Sequence, residues 1–167
     1  MGSDGRVDID GETATLIFER RLPHPPERVW RALTDPEELR QWFMAKAKID
    51  GRPGGSIEMI AGPAQFHWTG RILTWNPVSV LEYEFNAEPC EQLPDGERSV
   101  VRYELRSVGA CTLLTLTHSR LSKRTALGFA PGTHAFLDRL EAHLASRPLP
   151  HWRATYDAAK SAYPTWS

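Results

Sequence analysis

The chain has 167 residues, of which 41% are hydrophobic and 25% are charged. A chain of this size and composition can fold as one domain without a metal or disulfide. Its 20 basic and 21 acidic side chains leave a net charge of -1, which excludes the strong positive field of a general nucleic-acid or acidic-membrane binder.

Several segments and sites that would change the cellular location are also missing from the sequence. No apolar run approaches the roughly eighteen residues of a membrane span, and the N-terminal residues lack the pattern of an export signal. Cys90 and Cys111 lie far apart and do not form a CxxC pair. We therefore expect a reduced, cytoplasmic protein that binds neither a membrane nor a nucleic acid.

The first quarter of the chain predicts a tail, a strand and two short helices. Residues 1–12 are polar and contain glycine, so we expect a flexible tail there. Residues 13–22 alternate between apolar and polar side chains, which indicates a half-buried strand. One short helix is predicted over 27–33. Asp35 and the proline after it begin a second helix, with Glu38 placed as in a capping box.

Alternation then dominates from about residue 46 to residue 118. A polar, proline-containing loop over 87–97 interrupts the strands, and Val108-Gly109 forms a hairpin turn. Short connections between neighbouring strands predict an antiparallel meander. The strands are marked by inward apolar side chains two residues apart: Ile57 and Met59, Phe66 and Trp68, Leu81, Tyr83 and Phe85, Val101, Tyr103 and Leu105, Leu114 and Leu116.

Near the C-terminus the apolar period changes from two residues to that of a helix. This spacing predicts a long amphipathic helix over 131–146 that stops before Pro148. Residues 13–146 would then form a single α+β domain. We expect residues 147–167 to be an extension that packs on the outside of this domain and adds a further helical turn or two.

Five sequence strings, in this order, resemble the activator of heat shock protein 90 ATPase homologue-like family. They are FERRLPHPPERVWRALTDPEELRQWF, PGGSIEM, FHWTGRIL, TLLTLTHSRL and GFAPGTHAFLDRLEAHL. This family belongs to the START-like, or helix-grip, superfamily, and the resemblance covers about residues 13–144. It implies one strand, two short helices, six further antiparallel strands, and a long final helix lying over the concave face of the curved sheet. Function transfers less well, because the superfamily includes carriers, cyclases, hydrolases and resistance proteins.

Motifs for metal binding, phosphate binding and nucleophilic catalysis are missing from the sequence. The histidines and cysteines show no HxH, HExxH or CxxC spacing, and no GxGxxG, P-loop or GxSxG motif occurs. We therefore expect no metal, no cofactor and no assignable catalytic residue. His118 is of interest because strand alternation places it on the same face as Leu114 and Leu116. There it either meets a ligand or is bonded to a neighbouring protein group.

Aromatic side chains are the strongest functional signal. They are expected where the sheet, the two short helices and the long helix face one another, and a few carry polar tips. The alternative is that they fill the core and leave no space. The predicted cavity-lining residues are Trp42, Phe43, Ile57, Met59, Phe66, Trp68, Tyr83, Phe85, Tyr103, His118, Phe129, Phe136, Leu137 and Leu140.

Three functions are compatible with this pattern. The first is a carrier or sequestering protein for a small hydrophobic molecule of aromatic, polyketide-like or lipid-like character. The second is an enzyme of the cyclase, dehydratase or hydrolase type acting in the same cavity, with His118 and either Tyr83 or Tyr103 transferring protons. The third, a chaperone-interacting module, rests on the family name alone. Whether the sheet edge pairs two copies into a homodimer is open.

Overall fold

The computed structural model describes residues 3–165, and in this part of the chain eight antiparallel strands form one curved sheet. The strands are β1 (Arg6–Asp10), β2 (Thr13–Leu22), β3 (Lys46–Ile49), β4 (Ser56–Ala61), β5 (Phe66–Asn76), β6 (Val80–Ala87), β7 (Glu97–Val108) and β8 (Cys111–Ser122). The helices are α1 (Pro26–Thr34), α2 (Pro36–Trp42), α3 (Lys123–Leu144) and α4 (Trp152–Ala159), followed by a 3-10 turn (Lys160–Ala162).

The order of the strands across the sheet is β1-β2-β8-β7-β6-β5-β4-β3. Strands β3 to β8 form a meander, and the last of them, β8, returns to pair with β2. Helix α3 follows β8 directly and lies against the concave face. The predicted α+β helix-grip architecture, with two short helices after the strand of residues 13–22 and six strands after them, is confirmed.

Two short helices connect β2 to β3 at an elbow. Asp35 separates them, and its carboxylate accepts a hydrogen bond from Glu37 N–H (2.9 Å), as expected for an N-cap. Glu38 does not complete a capping box. Its carboxylate instead binds Arg28 Nη1 (2.6 Å) and His143 Nε2 (2.9 Å), so it joins α1 and α2 to α3.

The prediction of a flexible tail is wrong for residues 6–10. They form β1, which pairs with β2 from Arg6 opposite Ile17 to Asp10 opposite Thr13. Gly11 makes the tight connection with a φ of +63°, a conformation that glycine adopts without strain. Residues 1 and 2 of the predicted tail lie outside the described residues.

Helix α3 begins eight residues earlier than we predicted and ends two residues earlier. Ser122 caps it by accepting from Thr125 N–H (3.3 Å), and the helix continues through Pro131 to Leu144. The start predicted from the apolar spacing coincides with Pro131, a residue type that favours the first helical turn. The helix tolerates the lost N–H donor of Pro131 because this segment, including Leu127 and Pro131, is buried against the rest of the fold.

The described part of the C-terminal extension, residues 147–165, contains α4. The Trp152 ring lies against Phe136 of α3 (centroids 5.5 Å apart) and against Tyr156 (5.1 Å). Trp166 and Ser167 lie outside the described residues. Across residues 3–165, no helix combines the length and the apolar character that crossing a bilayer requires.

Candidate functional site

A large cavity lies between the concave face of the sheet and helix α3. Its volume is about 1270 Å³, which exceeds the roughly 300–1,000 Å³ usual for small-molecule sites. Strands β4 to β8 supply one wall and α3 supplies the other. Exposed residues at the rim, among them Pro63, Ala64, Gln92 and Pro94, show that the cavity opens to solvent.

The sheet side of the cavity is built from aromatic rings on β5 and β6. Trp68 and Tyr83 are stacked with their centroids 5.1 Å apart, and Phe66 is stacked on Phe85 at 5.9 Å. Phe129 of α3 stands edge-on to Phe66 at 5.9 Å. The two-residue period of the strands places these side chains on one face. The result is a set of flat apolar surfaces, which suits contact with a planar ligand.

Eleven of the predicted lining residues do line this cavity. They are Trp42, Phe43, Phe66, Trp68, Tyr83, Phe85, Tyr103, His118, Phe129, Phe136 and Leu137. Ile57, Met59 and Leu140 do not. They are buried in the core but do not border the cavity. The prediction was wrong for these three because facing inward is also what a core residue does.

His118 is held in the cavity wall by one neighbour on the adjacent strand. Its Nε2 lies 2.8 Å from Ser99 Oγ, and the Ser99 hydroxyl donates to the backbone carbonyl oxygen of Phe85 (3.2 Å). A hydroxyl has one proton to donate, and with that proton on the Phe85 carbonyl oxygen we assign the proton of the neutral ring to Nε2. In this tautomer Nε2–H donates to Ser99 Oγ and Nδ1 is an acceptor. Burial lowers the pKa of His118 to about 3, so the ring is neutral at physiological pH.

Two tyrosine hydroxyls add further uncharged polar groups to the same wall. Tyr83 and Tyr103 are 3% and 7% exposed. Burial raises the pKa of Tyr103 to about 12. Burial also raises the pKa of Tyr83 well above its usual value, and the adjacent Tyr103 raises it further. Both phenols therefore stay protonated and can donate or accept a hydrogen bond.

Glu97 is the one buried charged side chain among the described residues that line the cavity. Its carboxylate accepts from the Ser122 N–H (3.0 Å) and from the Ser122 hydroxyl (3.1 Å). These contacts lie at the N-terminus of α3, where the helix dipole stabilises a negative charge. The cationic side chains along the cavity are all exposed at its rim: Arg98, Arg124, Arg153 and Lys160.

Sequence reasoning missed part of the lining. Val101 and Leu116 face inward on β7 and β8, as strand alternation indicated, but they were not among the predicted lining residues. Leu93 comes from the loop over 87–97, and Trp152 comes from α4. No sequence pattern places these two residues in the cavity, because the positions of a loop and of a packed extension depend on tertiary contacts.

The described residues do not offer a metal centre. No group of three His, Cys, Asp or Glu side chains within residues 3–165 is arranged to hold an ion. The inner wall of the cavity carries a neutral polar pair, His118 and Ser99. The arrangement can therefore bind and orient an uncharged molecule through a few hydrogen bonds and many apolar contacts.

An antiparallel sheet that grips one long helix around a cavity defines a helix-grip, START-like protein. The family model described as Activator of Hsp90 ATPase homolog 1-like protein matches residues 23–145. The chain therefore belongs to this family, and the resemblance seen in the sequence is confirmed.

Solved structures show the same fold. CalU16 from Micromonospora echinospora is 26% identical, with 96% of this chain and 92% of that chain covered and a TM-score of 0.72. The protein encoded by gene BPP1335 from Bordetella parapertussis is 28% identical over 97% and 92%, with a TM-score of 0.71. Protein MLL2253 from Mesorhizobium loti is 28% identical over 81% and 99%, also with a TM-score of 0.71. No curated protein matches the chain.

Proposed function

We propose that the protein binds a small, largely apolar molecule of aromatic, polyketide-like or lipid-like character in the cavity, as a carrier or sequestering protein. The observation that carries this proposal is the unfilled space of about 1270 Å³ bounded by aromatic faces. A cavity of this size that opens to solvent exposes apolar side chains to water, and a ligand that covers them is favoured by the hydrophobic effect. Family membership supports the same reading, because it explains the fold that leaves this space open.

The enzyme alternative receives less support from the residues present. A proton-transfer group works best with a pKa near the working pH, and burial lowers the pKa of His118 to about 3. Its partner is the hydroxyl of Ser99 and not a carboxylate. Glu97, the buried carboxylate of the wall, directs its oxygens to Ser122. The chaperone-interacting alternative has no residue of the cavity in its favour.

Two adjacent valines on β7 provide a matched pair of variants that tests the proposal. Val101 lines the cavity and pairs with His118 on one side and Tyr83 on the other. Val100 precedes it and faces the opposite side of the sheet. Val101→Phe therefore fills the cavity with a ring, whereas Val100→Phe adds the same ring outside it.

The ligand for this test is N-phenyl-1-naphthylamine, an uncharged dye whose fluorescence increases in apolar surroundings. We expect the unmodified protein and Val100→Phe to bind it with equal affinity, and Val101→Phe to bind it at least about ten-fold more weakly, a loss of roughly 1.4 kcal/mol. Circular dichroism and urea denaturation check that both variants fold. Equal binding by the two variants, or none by the unmodified protein, would contradict the proposal.

A further inference from the structure

We propose that His118 orients the bound molecule by accepting a hydrogen bond from a ligand hydroxyl, so that the cavity selects neutral, hydroxyl-bearing aromatic molecules and rejects carboxylates. This inference rests on the proposed binding function. It adds the chemical class of the ligand and the residue that recognises it.

The free acceptor on His118 is the first reason. In the tautomer assigned above, Nε2–H donates to Ser99 Oγ, and no hydrogen bond from another described residue reaches Nδ1. The fully buried side-chain atoms without a partner in the described residues are Arg20 Nη2 and Trp152 Nε1. Nδ1 is therefore not sealed in the core, and since His118 lines the cavity, a ligand there can reach it. A neutral imidazole nitrogen without a proton accepts hydrogen bonds and repels another acceptor.

The aromatic surroundings fix what kind of molecule presents that hydroxyl. Phe85 lies edge-on to the His118 ring with centroids 5.0 Å apart, and Phe129 lies 5.9 Å away. A hydroxyl at Nδ1 would thus be attached to a skeleton that contacts aromatic faces on the sheet and on α3. A phenol or a hydroxyl-bearing fused ring meets both requirements at once.

The second reason is that no buried cationic side chain within residues 3–165 lines the cavity. A carboxylate removed from water needs a cationic or strong donor partner. The two buried arginines of the described residues are occupied elsewhere. Arg20 binds Asp138 and Glu141, and Arg139 donates to backbone carbonyl oxygens of α2 and of Pro150. Neither lines the cavity.

The negative charge already present on the cavity wall also disfavours the binding of an anion. Glu97 is 8% exposed and carries a carboxylate into the wall. A ligand anion near it would meet a like charge in surroundings of low dielectric constant. The rim arginines and Lys160 are exposed, so solvent and salt screen their attraction. Anions are therefore disfavoured inside, while a neutral hydroxyl costs no charge burial.

Three probes with one ring system separate these effects. 2-Naphthol is neutral and carries the hydroxyl, 2-methoxynaphthalene is neutral but has no proton to donate, and 2-naphthoate is anionic at neutral pH. Isothermal titration calorimetry would give the affinity of each. We expect 2-naphthol to bind about three- to ten-fold more tightly than the methyl ether, the usual range for one net hydrogen bond. We expect 2-naphthoate to bind at least about ten-fold more weakly than 2-naphthol.

Two variants tie the preference to the residue. In His118→Phe the ring volume is kept but the acceptor is lost, so the ratio of affinities for 2-naphthol and 2-methoxynaphthalene should fall to about one. Ser99→Ala removes the group that holds Nε2–H and should reduce the same ratio. It provides a second readout if His118→Phe folds poorly. Urea denaturation reports the folding of both.

The outcomes of this experiment are distinct. A preference for 2-naphthol that depends on His118 supports the inference. Equal binding of 2-naphthol and its methyl ether, or tighter binding of 2-naphthoate, overturns it and leaves the proposed function standing. If the unmodified protein binds none of the three probes nor N-phenyl-1-naphthylamine, the proposed function fails and the inference fails with it.

Discussion

The buried histidine of the cavity wall makes stability depend on pH in a predictable way. The pKa of His118 is lowered by burial from an ordinary value of 6.5 to about 3. As the pH falls through about 6.5, the unfolded chain takes up a proton that the folded protein does not. The unfolded state therefore binds more protons between about pH 6.5 and about pH 3, and the free energy of unfolding decreases as the pH falls through this window.

The size of the effect follows from the shift. Inside the window, each fall of one pH unit lowers the free energy of unfolding by about 1.4 kcal/mol. Between about pH 7.5 and about pH 5, His118 should thus lower the free energy of unfolding by about 2 kcal/mol. Because only one ring is involved, replacing it should remove this contribution and leave the rest of the pH dependence in place.

Urea denaturation followed by tryptophan fluorescence, at about pH 7.5 and about pH 5, measures this contribution. His118→Phe should lose about 2 kcal/mol less than the unmodified protein between the two pH values. The comparison also cancels His134, whose pKa is likewise lowered, mainly by burial. Val100→Phe is the control, because neither valine nor phenylalanine titrates, so this variant should leave the loss unchanged. An identical pH dependence in the unmodified protein and His118→Phe would refute the reasoning.

Two further predictions concern the scaffold. Arg139 donates to the backbone carbonyl oxygens of Gln41, Trp42 and Pro150, so Arg139→Met should lower the free energy of unfolding by about 3 kcal/mol. An unchanged urea midpoint would count against this bracing role. A Cβ on Gly70 would lie 1.9 Å from a neighbouring backbone oxygen, whereas one on Gly128, inside α3, would meet no atom within 4 Å. Gly70→Ala should therefore lower the melting temperature, and Gly128→Ala should stabilise by about 0.5–1 kcal/mol; thermal denaturation that ranks them the other way contradicts this.

Most of the fold could be predicted from local patterns. Asp35 and the proline after it marked the second short helix, and the two-residue period marked the strands. Two predicted boundaries were wrong, at the N-terminal tail and at the start of α3. Val7 and Ile9 alternate with aspartates before Gly11, which is a strand and turn pattern, but its polar composition favoured a tail. Pro131 was treated as a helix start, although tertiary packing carries the helix through it.

The sequence predicted which side chains point inward, but it did not predict which of them border the cavity. Alternation identifies side chains that point inward, yet it does not distinguish Trp68, which borders the cavity, from Ile57, which is packed in the core. That difference depends on the curvature of the sheet and on the distance to α3. The role of Ser99 could not be predicted either, because it depends on the hydrogen bond between Ser99 and His118 on the neighbouring strand.

The central claim is that a small apolar molecule occupies the space between the sheet and α3. The most direct measurement is a set of intermolecular nuclear Overhauser effects between bound 2-methoxynaphthalene and isotope-labelled protein. We predict contacts from the ligand to the rings of Trp68, Phe85 and Phe129, which line the cavity. Contacts confined to outward-facing side chains such as Leu73, or no contacts at saturating ligand, would contradict the account.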